Sequence, residues 1–265
     1  MKVDKRIIPE DLPDTYDYDV YKTFLHTKKP CSTVPGDLPR RIIKEFSPEL
    51  AAPAGKIYRN ILRTAHWPKQ WRTEYGTPIQ KISNPSNEDD LRIISLTNYF
   101  SKQFEQFVII WLLKYVGSQL DCGQYGGVKG SSISHYLINF INFILFNQDL
   151  AVPQAVVAVM IDFSKAFNGI NHNTIITILS DMGVPGWLLN IVIAFLDDRE
   201  LILRYNGLNS KRKSMPGGGP QGTKLGLFLF LILINAAGYP ELENNLGMKI
   251  TRKVGKRAPL MKTHL

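Results

Sequence analysis

Residues 155–161, AVVAVMI, constrain the fold more than any other part of this sequence. They form a continuous apolar run rich in β-branched residues, which is typical of a strand buried on both faces of a sheet. Apolar patterns with helical spacing lie before and after this run. A mixture of strands and long helices predicts an α+β fold, and 265 residues suffice for one domain or two small ones.

The remaining segments divide into helical and extended patterns. Two short strands, TPIQKI and LRIISL, flank the turn SNPSNEDD, so we expect a hairpin with Lys81 and Arg92 near its two arms. Another strand is predicted at 200–207, and little regular structure is expected in 1–36. Helices are predicted at 37–46, 47–65, 99–116, 135–146, 171–183, 186–196 and 225–236, with Asn171 or Asn173 capping the fifth and Gly183 following it.

Charge and cysteine content limit the class of protein. The net charge of +9 and the pI of about 9.4 favour a polyanionic partner, nucleic acid first and an acidic membrane second. Cys31 and Cys122 lie far apart without other cysteines or histidines clustered nearby, which excludes a disulfide framework and a Cys/His zinc finger. No apolar signal segment opens the chain, and the apolar run 225–234 is too short to span a bilayer. We therefore expect an intracellular protein without a membrane partner.

Two segments carry residues suited to phosphate chemistry. Asp162 follows the predicted buried strand, where a carboxylate can bind Mg²⁺, although an ordinary loop or capping acid remains the alternative. The glycine-rich loop GGGPQG precedes a predicted helix, whose N-terminus favours a bound phosphate. This loop is not a Walker P-loop, because Thr223 and Lys224 stand in the wrong order and Pro220 removes one N–H donor.

These segments resemble a known family. IDFSKAF and GGGPQGTKLGLFLF resemble motifs A and B of reverse transcriptases, in the form found in non-LTR retrotransposons. TPIQK, LRIISL and LTNYFSKQFEQFV are similar to the fingers segments of that family, and QYGGVKGSS is similar to the loop that follows them. The resemblance covers roughly residues 28–247 in the family's order.

The resemblance implies a right-hand polymerase with fingers and a palm of split βαβ, ferredoxin-like type. It implies DNA synthesis on an RNA template from a DNA primer and deoxynucleotide triphosphates, with two Mg²⁺ ions. On this basis we expect a poorly structured segment in 1–36, a fingers-like region in 37–152 and a partial palm in 153–265. The reverse transcriptase region as a whole would cover about 28–265.

The resemblance also assigns roles to individual residues. Asp162 would be the catalytic metal ligand, and the backbone carbonyl of Phe163 would assist the second ion. Phe167 would be the steric gate that rejects a ribose 2′-OH. The other nucleotide contacts would be Lys81 and Arg92 on the triphosphate, Gln221 on the sugar and base, and Ala166.

Departures from the family pattern limit the expected activity. The third motif, an aromatic-x-Asp-Asp hairpin, would be expected beyond the segment that ends at Leu265. The pairs Asp89-Asp90 and Asp197-Asp198 precede motif B and are surrounded by turn residues, so we interpret them as solvated turns. Asn168 and Ile93 replace an acid and a proline usual in the family. We expect an incomplete fragment that does not polymerise alone, and the alternative is a non-catalytic, nucleic-acid-binding relic of a retroelement.

Overall fold

The computed structural model describes residues 13, 15–27, 34–121, 123–126, 130–151, 156, 170–220 and 222–236. The chain divides into two compact units, one formed by residues 1–117 with 167–230 and the other by residues 118–166 with 231–265. The predicted strand at 155–161 lies outside the described residues, apart from Val156. The boundary between fingers and palm near residue 152 therefore stays a prediction.

Helices account for most of the described residues. They are α1 (Asp17–Leu25), α2 (Arg40–Glu45), α3 (Ser47–Thr64), α4 (Lys69–Arg72), α5 (Tyr99–Val116), α6 (Ile133–Gln148), α7 (His172–Asp181), α8 (Gly186–Leu196) and α9 (Lys224–Ala236). The bounds predicted for α5 and α8 are confirmed at both ends. Asn171 is the N-cap of α7, with its side chain accepting from the Asn173 N–H, and Gly183 follows the helix at φ +80°.

A small mixed sheet confirms the predicted α+β class. Its strands are β1 (Thr73–Gln80), β2 (Leu91–Leu96), β3 (Arg199–Tyr205), β4 (Leu208–Asn209) and β5 (Lys213–Met215). The order is β2-β1-β3-β4, and β5 also pairs with β3. β1 runs antiparallel to β2 and parallel to β3. The predicted hairpin is therefore confirmed, and its first strand begins four residues earlier than expected.

Helix α1 corrects the expectation that residues 1–36 have little regular structure. Val20 and Phe24 of this helix are fully buried. A side chain on Gly55 of α3 would lie 2.3 Å from the Asp17 carboxylate, so glycine lets the two helices approach closely. Arg59 then pairs with Asp17 at 2.8 Å. This helix forms because α3 offers a partner, which its own polar sequence does not indicate.

Two short strands that the sequence did not predict, β4 and β5, follow β3 and pair with it. Asn206 and Gly207 both have positive φ, +48° and +78°, as a type I′ hairpin turn requires. This turn folds the chain back along β3, where Met215 pairs with Arg199. The Asn-Gly pair is a hairpin signal that was available in the sequence.

The first unit is held together by an aromatic core. Trp67 is 1% exposed and contacts the rings of Trp71, Phe104 and Phe195 at centroid distances of 5.1–6.3 Å. Tyr58 stacks on Phe104 at 5.0 Å. Large rings in edge and stacked contacts bury much apolar area, so α3, α5 and α8 are fixed against one another.

The second unit contains α6, the loop before it and the last turns of α9. Asn235 of α9 accepts from the Asp121 N–H at 2.7 Å and donates to the Gln119 carbonyl at 3.2 Å. No side chain of α6 is buried. No helix among the described residues is both long and apolar enough to cross a membrane.

Candidate nucleotide and nucleic-acid site

The part of the sheet formed by β1, β2 and β3 has two different faces, because successive strand residues point to opposite sides. A side chain on Gly76 would lie 2.6 Å from Ile93 and 3.1 Å from both Leu201 and Leu203. This side also holds the buried side chains of Glu74, Ser95 and Arg199, and we call it the packed face, although Ile93 and Leu203 are each 37% exposed. The open face is the other side, formed by Tyr75, Thr77, Ile79, Arg92, Ile94, Leu96, Glu200, Ile202 and Arg204, of which Ile202 is buried.

Arg92 is the predicted site residue that the structure places most clearly. It lies in β2, opposite Ile79 of β1, and its side chain is exposed on the open face. Within the described part of the chain, the Arg92 side chain has no hydrogen-bond or ion-pair partner. A guanidinium in this state can bind a phosphate bidentately without first breaking an internal ion pair.

Lys81 follows the last residue of β1 at the turn end of the hairpin. Its N–H donates to the Asp90 carbonyl at 2.8 Å, which extends the ladder by one bond. Hydrogen bonds from Ser86 and Asn87 hold the pKa of Asp90 below its ordinary value, and the nearby charge of Lys81 contributes to the same shift. Lys81 therefore stands beside an acid, unlike Arg92.

A cavity of about 360 Å³ opens on the same face. Tyr75, Thr77 and Leu96 line it together with Arg204, and the turn Asn206-Gly207 and Pro35 complete its wall. An aromatic ring beside an exposed guanidinium suits an unstacked base and its phosphate. Sequence patterns do not indicate Tyr75 and Arg204 as site residues, because only the strand register places them on the face of Arg92.

The glycine-rich loop before α9 lies against the end of β2. Gly218 donates to the Ile170 carbonyl at 2.9 Å, and its own carbonyl bonds to the His172 ring at 2.8 Å. Gly222 has φ +77°, and a side chain there would lie 2.2 Å from the Ser95 carbonyl oxygen. Glycine is therefore needed at position 222 both for its backbone conformation and for the close approach to β2.

The N-terminus of α9 already has acceptors within the protein. The Glu105 carboxylate accepts from the N–H groups of Lys224 at 2.7 Å and Leu225 at 3.1 Å. The Thr223 hydroxyl accepts from the Gly226 N–H at 3.1 Å. The expectation that this helix end binds a phosphate is therefore wrong for these three donors, because each already has a partner.

Comparison with known families decides the identity of the fold. Residues 79–245 match the family described as "Reverse transcriptase (RNA-dependent DNA polymerase)". The chain belongs to the reverse transcriptase family. The matched range includes the hairpin from Ile79 onward, α5 and the glycine-rich loop, whereas Tyr75 and Thr77 of the open face precede it.

The relatives agree with the non-LTR retrotransposon type. The "Probable RNA-directed DNA polymerase from transposon BS" of Drosophila melanogaster is 28% identical over 179 residues, which is 66% of this chain. The "RNA-directed DNA polymerase from mobile element jockey" of the same organism is 25% identical over 213 residues, or 78% of the chain. These matches cover 19% and 23% of the relatives' own lengths, so the chain spans about a fifth of each.

Several predicted reverse transcriptase residues lie outside the described residues. They are Asp162, Phe163, Ala166, Phe167 and Gln221, so their assignments stay predictions. Among the residues that are described, no group of three or more His, Cys, Asp or Glu side chains could hold a metal ion. Asp89 and Asp90 lie in a short 3-10 helix whose N-cap is Asn87, and the Asp90 side chain completes the capping box. Asp197 and Asp198 lie in a turn, where Asp198 pairs with Arg72 at 3.0 Å.

Proposed function

We propose that this chain supplies the fingers and the first part of the palm of a polymerase that makes DNA on an RNA template. Its membership in the reverse transcriptase family is the observation that carries the proposal. Two relatives whose names include RNA-directed DNA polymerase add support. We place the fingers in 37–152 and a split βαβ palm in 153–265.

The proposed metal site rests on the sequence IDFSKAF. Asp162 would hold Mg²⁺ through its carboxylate, with the Phe163 carbonyl as a further oxygen, because hard divalent cations prefer oxygen ligands. When bound, the two ions neutralise charge on the phosphates during nucleotidyl transfer. The described residues offer no competing cluster of acids for this role.

The proposed nucleotide site combines the hairpin with the two motif segments. Arg92 would grip the triphosphate, helped by Lys81 at the turn end of the hairpin. The exposure of Arg92 and its lack of a partner among the described residues support this role. Phe167 would act as the steric gate, and Ala166 and Gln221 would contact the sugar and base.

A second candidate function is nucleic-acid binding without catalysis. The open face favours it, because Arg92 and Arg204 are exposed there and Arg204 lines a cavity together with Tyr75. Its acid at the β3 edge, Glu200, is already paired with Arg212 at 3.1 Å. Phosphate contacts of this kind bind single strands without sequence preference and weaken as salt rises.

A primer-extension assay separates the two functions. A longer polymerase containing this chain should extend a DNA primer on an RNA template with Mg²⁺, and Asp162→Ala should abolish extension. Asp198→Ala is the matched control, because that aspartate pairs with Arg72 in a turn and should leave extension intact. Absence of extension in the unsubstituted protein, with nucleic-acid binding retained, would favour the second function. The same assay on the chain by itself tests the expectation of inactivity.

A further inference from the structure

Glu105 is a fully buried acid within the largely apolar helix α5. Removing a carboxylate from water costs free energy unless hydrogen bonds replace its lost solvation. The Ser101 hydroxyl donates to one carboxylate oxygen at 3.0 Å. The N–H groups of Lys224 and Leu225 donate to the other. Glu105 thus joins α5 to a helix that lies about 120 residues further along the chain.

The hydrogen bonds of Glu105 fix the place where the glycine-rich loop ends. Thr223 precedes α9, and its hydroxyl donates to the Pro220 carbonyl at 2.7 Å while accepting from Gly226. A side chain on Gly226 would lie 2.5 Å from that hydroxyl and 2.6 Å from the Pro220 carbonyl oxygen. The turn between loop and helix is therefore fixed by its own hydrogen bonds, and Glu105 connects this turn to α5.

The other side of the same turn touches β2. Gly222 lies so close to the Ser95 carbonyl oxygen that no side chain fits between them. Ser95 is three residues after Arg92 in the same strand. The loop is thus held from two directions, by a carboxylate on α5 and by the backbone of the strand that carries Arg92.

We infer that Glu105 is a positioning residue that fixes the glycine-rich loop against β2, and thereby sets the loop's geometry for nucleotide binding. The inference rests on the proposed function, because the loop includes position 221, the proposed contact to the nucleotide's sugar and base. Glu105 is 0% exposed, so it acts through the loop and not by touching the substrate. A negative charge at a helix N-terminus adds to the anchoring through the helix dipole.

Two kinds of substitution test the anchor. Glu105→Ala removes both acceptor oxygens, whereas Glu105→Gln keeps one oxygen for the α9 N–H groups and loses the charge. Gln106→Ala is the matched control, because Gln106 accepts from the Lys224 side chain at 2.8 Å and not from the helix backbone. Gly222→Ala disturbs the same loop from the β2 side. Its control is Gly183→Ala, which has a similar positive φ of +80° and no atom within 4 Å of the new side chain.

Hydrogen exchange on the chain itself measures the anchor without any need for activity. Glu105→Ala should speed exchange at the amides of Lys224 and Leu225 by about tenfold or more, because their acceptors are gone, while β1 and β3 keep their protection. Glu105→Gln should show a smaller change, and Gln106→Ala none. Unchanged exchange at these amides in Glu105→Ala would overturn the inference.

Steady-state kinetics of the longer polymerase test the link to nucleotide binding. Glu105→Ala and Gly222→Ala should each raise the KM for deoxynucleotides by about tenfold with a smaller change in kcat, because misplacement of a binding group weakens substrate positioning. Glu105→Gln should restore most of the affinity. An unchanged KM in an active Glu105→Ala enzyme overturns the inference. An unsubstituted enzyme without activity refutes the proposed function, and hydrogen exchange alone then decides whether Glu105 anchors the loop.

Discussion

The two faces of the sheet formed by β1, β2 and β3 place arginine in opposite environments. On the packed face, Arg199 is 2% exposed and Glu74 is 0% exposed. The Arg199 Nε donates to a Glu74 carboxylate oxygen at 3.0 Å, and its Nη2 forms an ion-pair contact with the same oxygen at 2.9 Å. On the open face, Arg92 is exposed and has no partner among the described residues. The same residue type therefore fixes the register of β1 and β3 on one side and remains available for a ligand on the other.

The difference shows which arginine stabilises the fold and which remains available for binding. Arg199 also donates to the Phe195 carbonyl at 3.0 Å and lies over the Phe195 ring at 4.9 Å, so its position is set by several contacts at once. A buried pair of this kind is costly to break, although an apolar replacement of both partners can be as stable. An exposed arginine contributes little to folding, so selection can act on it for binding.

The largest expected effect separates the two faces by stability. Arg199→Met should lower the free energy of unfolding by roughly 3–5 kcal/mol, because Glu74 stays buried without its counterion. Arg92→Met makes the same replacement on the open face and should leave the free energy of unfolding nearly unchanged. Urea unfolding followed by tryptophan fluorescence measures both. Equal losses for the two variants would show that the faces do not differ as described.

The next effect concerns binding on the open face. Tyr75→Ala should weaken the binding of a short single-stranded RNA by about tenfold, because stacking on an aromatic ring contributes about 1–3 kcal/mol per base. Tyr205→Ala is the control, since Tyr205 is an exposed tyrosine of β3 that alternates with Arg204 and points to the other side. Fluorescence anisotropy at fixed salt gives both affinities. Similar losses of affinity for both tyrosines would show that the cavity does not bind the single-stranded RNA.

The smallest effect concerns the pH dependence of the packed face. Burial raises the pKa of Glu74 above its ordinary value, although Arg199 opposes the shift. The contribution of Glu74 to stability is therefore fully present below the pKa of an unfolded glutamate, about 4.3, and is lost as pH rises through the raised pKa. Glu74→Gln cannot ionise, so its stability relative to the unsubstituted protein should increase as pH rises from about 4.3 through the raised pKa of Glu74.

The control for this pH dependence is Glu49→Gln, which changes an exposed glutamate of α3. Urea unfolding at several pH values gives the stability difference for each variant. Only Glu74→Gln should show the predicted increase. A stability difference that falls with rising pH would mean that Arg199 lowers the pKa of Glu74 more than burial raises it.

The parts of the fold that the sequence predicted correctly have local causes. Helices α5 and α8 follow from continuous apolar periodicity, and the hairpin follows from two short strands around a polar turn. The placement of Arg92 near one arm of the hairpin needed only those two strands. These features depend on interactions between residues near one another in sequence, which a pattern can report.

The parts that the sequence did not predict depend on distant contacts. Helix α1 needs Gly55 of α3, and the cavity needs the parallel register of β1 and β3 that places Arg204 on the same face as Tyr75. Glu105 is a polar residue in a largely apolar helix, and its partners lie 119 and 120 residues further on. No periodicity indicates such a pairing, because it arises only when α5 and α9 meet in the folded unit.

The most direct test of the account is the KM for deoxynucleotides in a polymerase that contains this chain with Arg92→Met. The proposed grip on the triphosphate predicts a KM raised by about tenfold or more, since a charge-assisted hydrogen bond contributes about 1.5–3 kcal/mol. Arg212→Met is the control, because Arg212 already pairs with Glu200 and should leave KM unchanged. A KM that stays unchanged in Arg92→Met, in an enzyme that still extends primers, would contradict the assignment of the open face to nucleotide binding.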